Sequence, residues 1–72
     1  MGKDELLNKL GERIALLRKS KGYRQIDLAD KVEMEEFAVR RIEIGGTNPT
    51  VKTLAKIAKA LEVEIKDLFD FK

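Results

Sequence analysis

Neither cysteine nor histidine occurs anywhere in the 72 residues. The first absence excludes a disulfide framework and a thiolate metal site. The second removes the commonest general base and the commonest zinc ligand. No apolar run approaches the roughly 20 residues of a membrane span, and the opening Met1-Gly-Lys-Asp-Glu-Leu-Leu lacks the apolar core of a signal peptide. A soluble cytoplasmic protein is the expectation. Excess charge is also scarce: 15 Lys and Arg against 13 Asp and Glu leave a formal net charge of +2. A balance this even does not by itself argue for nucleic acid, so any such reading depends on where the charges lie.

The length predicts one domain, residues 1–72. It also predicts a small core, because a chain of this size buries only about 60% of the surface that its unfolded form exposes. What the sequence does contain is helical periodicity. Leu7, Leu10, Ile14 and Leu17 recur at spacings of three and four, placing them on one face of a first helix that stops near Ser20-Lys21-Gly22. A second segment, about 25–32, sets Leu28, Ala29 and Val32 on one side. A third, about 35–44, offers Val39 and Ile42 as inward positions. Gly45-Gly46-Thr47-Asn48-Pro49 breaks the chain. Thr50 is placed to cap a fourth helix with the stripe Val51, Leu54, Ile57, Ala58 and Leu61. A short fifth segment holds Ile65, Leu68 and Phe69. No segment alternates as a strand does, so the fold class is all-α, a compact bundle of five helices.

The second and third segments are each about two turns long and are joined by a short turn, the layout that enters a DNA major groove. Ala29 supplies the small side chain needed where two such helices cross. The outward positions of the third segment are then Glu35, Glu36, Phe37, Arg40 and Arg41.

Several stretches sharpen this reading: Leu10-Gly-Glu-Arg-Ile, Leu17-Arg-Lys, Gly22-Tyr-Arg-Gln, Leu28-Ala, Arg41-Ile-Glu-Ile-Gly, Asn48-Pro, Leu54-Ala-Lys-Ile-Ala-Lys-Ala-Leu and Asp67-Leu-Phe. Together they resemble the Cro/phage-repressor (Xre-type) helix-turn-helix family, from about residue 10 to residue 69. The resemblance implies a five-helix, lambda-repressor-like DNA-binding domain and a transcriptional regulator that works as a homodimer on a palindromic operator. It also implies residue roles. Gln25 matches the glutamine that holds a DNA phosphate, at a helix N-terminus that favours anions. Arg18 and Glu43 match an ion pair tying the first helix to the end of the recognition helix. Gly46, Thr47 and Asn48 match the loop whose backbone approaches the second strand. Base readout falls to Glu36, Phe37, Arg40 and Arg41: arginine to guanine, glutamate to the cytosine amino group, phenylalanine to a thymine methyl.

The sequence departs from the family pattern at four places. Arg24 stands where a Ser, Thr or Asn cap is usual, and is itself a candidate phosphate contact. Glu33 and Glu62 replace glycines, so each is expected in a left-handed conformation. Glu33, Glu35 and Glu36 cluster where the recognition helix begins, which suits the helix dipole but repels phosphate.

Bland alternatives stand beside these assignments. Arg40 and Arg41 are either base contacts or solvated charges paired with nearby glutamates. Phe37 either meets a base or tucks against the second helix. Gln25 is either a phosphate ligand or an ordinary surface residue. Ile65, Leu68, Phe69 and Phe71 either form a dimer interface or, for Leu68 and Phe69, close the monomer core. At the scale of function, the alternative is a protein-interaction module on the same fold with weak or lost DNA binding. No enzyme reading stands: Glu35 and Glu36 diverge on a helix, and the glycine loop lacks the lysine and strand of a phosphate-binding loop. No cofactor, metal or membrane is expected, and the expected partners are double-stranded DNA and a second copy of the chain.

Overall fold

A computed structural model describes residues 4–71; the expected domain limits, residues 1 and 72, lie outside this range. The chain forms α1 (Glu5–Ser20), α2 (Gln25–Val32), α3 (Glu36–Glu43) and α4 (Val51–Ala60), followed by a 3-10 helix over Ile65–Phe69. Among the described residues there are therefore four α-helices and one 3-10 helix, not the five helices expected. Two bonds of the tight i→i+3 type, Asp67 N to Glu64 O at 2.9 Å and Asp70 N to Asp67 O at 3.3 Å, wind the last segment. Five residues are too few for much else.

Local chemistry sets each boundary. The Asp4 carboxylate accepts from Leu7 N at 3.3 Å and caps α1, and Thr50 Oγ1 accepts from Thr53 N at 3.1 Å and caps α4 as its position predicts. Gly22, at φ +79°, turns the chain after α1. Glu33 and Glu62 adopt φ of 59° and 62°, the left-handed conformations expected where glycine is usual. Both turns are closed by backbone bonds, Met34 N to Ala29 O and Val63 N to Ala58 O, each at 2.9 Å. Closing these bonds satisfies helix-end carbonyls and offsets the roughly 1–2 kcal/mol that a side chain costs in this region.

The inward stripes converge on one core. Leu10 and Ile14 from α1, Leu28, Ala29 and Val32 from α2, Val39 and Ile42 from α3, and Leu54, Ile57, Ala58 and Leu61 from α4 and its end are all buried. Leu68 of the 3-10 helix completes the core at 0% exposure. Two expectations change. Val51, placed in the α4 stripe by spacing, is the first residue of α4 and is 72% exposed. Ile44, read as the last helical residue, ends α3 as a cap and is exposed. Arg13 pins the 3-10 helix to α1: its Nε donates to the Asp67 carbonyl at 2.9 Å, with Asp70 3.9 Å from its guanidinium. Among the described residues, no helix is long and apolar enough to cross a membrane.

Candidate nucleic-acid interface

The α2–turn–α3 unit is positioned from beneath by one buried polar group. Arg18 on α1 and Glu43, the last residue of α3, are both buried. They form a two-pronged pair, Nε to Oε2 at 2.6 Å and Nη2 to Oε1 at 2.9 Å. The remaining guanidinium nitrogen, Nη1, donates to the Tyr23 carbonyl at 2.8 Å, just before α2. Oε1 of Glu43 also accepts from Nε2 of Gln25 at 2.9 Å. One carboxylate thus joins α1, the start of α2 and the end of α3. Every buried side-chain polar atom among the described residues has a partner, so this network carries no unpaired group.

Gln25 is half-buried at the first position of α2. Its amide nitrogen carries two hydrogens, and the bond to Glu43 uses one of them. The other is left for an acceptor outside the fold, at a helix N-terminus where anions are favoured.

Close approach of α1 to α3 is set by Gly11, which the sequence reading did not single out. A Cβ there would collide with the backbone carbonyls of Ile42 and Glu43. A glycine inside a strong helical pattern was the available signal. The loop after α3 is fixed similarly. Gly45 sits at φ +77°, where a Cβ would strike Asn8. Gly46 N then donates to the Arg41 carbonyl at 2.8 Å, folding the loop back beneath α3.

Above this base, α3 shows its other face. Glu36, Phe37, Arg40 and Arg41 are all exposed. Phe37 is 52% exposed and lines a shallow groove of about 230 Å³ with Met34, Arg41, Asn48 and Pro49. Glu43, one of the expected partners for the two arginines, is taken by Arg18. Among the described residues neither Arg40 nor Arg41 is in an ion pair, so both guanidiniums keep their forks for a planar acceptor. Gly46 and Asn48 are exposed and Thr47 is half-buried on the same flank.

Arg24 is also exposed, but it is not free. Asp27 accepts from its Nε at 3.1 Å and its Nη2 at 3.0 Å. The Asp27 carboxylate also accepts from the Arg24 backbone N–H at 2.7 Å, the N3 half of a capping box, while Arg24, which has no acceptor, supplies no side-chain cap to the first N–H groups of α2. An acid three residues after the helix-start position was the sequence signal for this contact.

The candidate dimer residues do not stay together. Ile65 and Phe69 are 38% and 40% exposed, and the Phe69 and Phe71 rings lie 6.4 Å apart. Leu68 is wholly inside the monomer, because the 3-10 helix turns that side chain onto α1 and α4. It closes the core and cannot face a partner.

Comparison with known proteins agrees with this architecture. A family model described as helix-turn-helix matches residues 14–68. The chain is 42% identical over 62 residues to the HTH-type transcriptional regulator SlrR of Bacillus subtilis strain 168, covering 85% of this chain and 41% of that protein. It spans about half the length of the curated relatives it matches. Among solved structures, the restriction-modification controller protein C.AhdI from Aeromonas hydrophila superposes with a TM-score of 0.86 at 35% identity, covering 88% of this chain and 96% of that one. The biofilm master regulator SinR, solved in complex with DNA, superposes with a TM-score of 0.78 at 35% identity, covering 85% and 98%. Sequence match and backbone path coincide on the α2–turn–α3 unit and the helices that brace it, and the chain belongs to the helix-turn-helix family.

Proposed function

We propose that this domain binds double-stranded DNA with α3 in the major groove and acts as a sequence-specific transcriptional regulator. The observation that carries the reading is the division of α3: Val39, Ile42 and Glu43 are buried, while Glu36, Phe37, Arg40 and Arg41 are exposed along its other side. Arg41 and Arg40 take guanine edges, Glu36 a cytosine amino group and Phe37 a thymine methyl. Gln25, Gly46, Thr47, Asn48 and Arg24 take phosphates, which fix register without reading sequence. The solved DNA complex of the relative SinR, and the regulator and repressor names of the curated relatives, support this use of the fold.

The regulator works as a homodimer on a roughly palindromic operator in the cytoplasm. Half-sites one helical turn apart, about 34 Å, need two copies of α3. Ile65, Phe69 and Phe71 supply the apolar contact between copies, without Leu68.

Binding to mixed-sequence and genomic duplex fragments at about 50 and 200 mM salt tests the reading. Several phosphate contacts predict a steep loss of affinity across that range. Absence of binding at the lower salt overturns it. A second reading, a protein-interaction module, is favoured by one observation: Phe37 on α3 and Ile44 at its end leave 52% and 68% of their surface exposed. That reading is the one left standing if no duplex binds.

A further inference from the structure

Arg24 and Asp27 form a closed unit at the start of α2. Two donor nitrogens on one edge of the guanidinium meet the two carboxylate oxygens, Nε to Oδ2 at 3.1 Å and Nη2 to Oδ1 at 3.0 Å. This is the fork that arginine also offers a phosphate. The Arg24 side chain is 79% exposed and that of Asp27 32%, so the pair sits at the surface beside Gln25. Asp30 and Glu36 add negative potential at the same guanidinium. The hydrogen bond from Arg24 also holds the Asp27 carboxyl below its usual range.

We propose that Asp27 is a positioning residue that acts on Arg24 as an internal stand-in for a DNA phosphate. It occupies the Nε–Nη2 edge in the free protein, so DNA must either displace it or accept a guanidinium whose charge is already matched. The inference rests on the DNA-binding reading above. Its consequence is that Arg24 adds less to affinity than its exposure suggests. A neutralised cation releases few counterions from the duplex, so the salt dependence is also shallower than a count of basic residues gives.

A two-by-two comparison tests it: the full chain, Asp27→Asn, Arg24→Gln and the double variant, each titrated with one mixed-sequence duplex at about 50, 100 and 200 mM salt. Asparagine keeps an oxygen for the Arg24 N–H, so the start of α2 survives. If helicity nevertheless falls, Asp27→Ser, which also keeps an oxygen, carries the same comparison. Asp27→Asn is expected to bind about two- to five-fold more tightly at the lowest salt, the range set by the modest strength of an exposed ion pair. The slope of log affinity against log salt steepens by about one, the signature of one more phosphate engaged. In the Arg24→Gln background the same change leaves affinity and slope as they were.

Equal tightening in both backgrounds overturns the proposal, because Asp27 would then repel DNA directly instead of acting through Arg24. An unchanged slope in Asp27→Asn overturns it as well, while leaving the DNA reading intact. Failure of the unsubstituted chain to bind any duplex at the lowest salt overturns both.

Discussion

Glu43 does more than any other single side chain to hold the interface in shape. It receives two bonds from Arg18 and one from Gln25, all within the buried base of α2 and α3. Glutamine in its place keeps one acceptor oxygen but turns an amide NH2 toward the Arg18 and Gln25 donors, so the buried guanidinium loses its counter-charge and at least one donor loses its partner. Glu43→Gln is therefore expected to destabilise the fold by about 3 kcal/mol, read as a lower urea midpoint. Replacing Arg18 and Glu43 together by methionine should recover most of that loss, since breaking a buried pair costs more than deleting it. Gln25 would still lose its anchor in the double variant, so phosphate contact should weaken even where stability returns. Glu33 sits at the opposite extreme: exposed, left-handed and in no ion pair among the described residues. Glu33→Gly relieves the backbone at some entropic cost and is expected to raise stability by about 0.5–1 kcal/mol in thermal unfolding.

Among the elements, α3 depends on its distance from α1. Gly11 sets that distance by having no side chain beneath the Ile42 and Glu43 carbonyls. Gly11→Ala improves helix propensity yet forces backbone against backbone. The second effect wins, with an expected loss of about 1–3 kcal/mol in equilibrium unfolding and weaker binding at every sequence. A gain in stability from this change would show that α1 and α3 can separate freely. The sequence made much of this level legible, but unevenly. The stripes of α1 and α2, that of α4 apart from Val51, and the Thr50 cap follow from spacing and residue type, whereas the two left-handed glutamates follow only from the resemblance to a family that has glycine at those positions. Contacts between elements did not: Gly11 under α3, Arg13 on the 3-10 helix and Gln25 on Glu43 join residues 18 to 54 positions apart. Periodicity carries no information about such pairs. The fate of Leu68 also depends on which way one short turn faces, and the spacing of Ile65, Leu68 and Phe69 fits either direction.

Seen as a whole molecule, the domain measures 31 × 23 × 22 Å, less in every direction than the roughly 34 Å between adjacent half-sites. On the proposed reading one copy would meet one half-site, and a palindromic operator would need two copies. With Leu68 committed to the core, the candidate dimer residues left are Ile65, Phe69 and Phe71, with Leu16 lining a shallow groove together with Phe71. Sedimentation should give twice the 8.2 kDa chain mass at micromolar concentration, and Phe69→Ser should return it to one. If the substituted chain remains dimeric, the contact lies elsewhere on the surface.

The division of α3 has a consequence for how such a protein changes over time. The residues that hold the helix in place, Val39, Ile42 and Glu43, share no position with those it displays, Glu36, Phe37, Arg40 and Arg41. A new set of displayed side chains can therefore be tried without endangering the fold, since exposed substitutions stay within about 0.5 kcal/mol. Arg41→Ala should shift the preferred operator and leave the melting temperature almost unmoved. If α3 reads DNA as proposed, the scaffold would be a fixed holder with an exchangeable reading head, and one such holder could be retargeted from operator to operator.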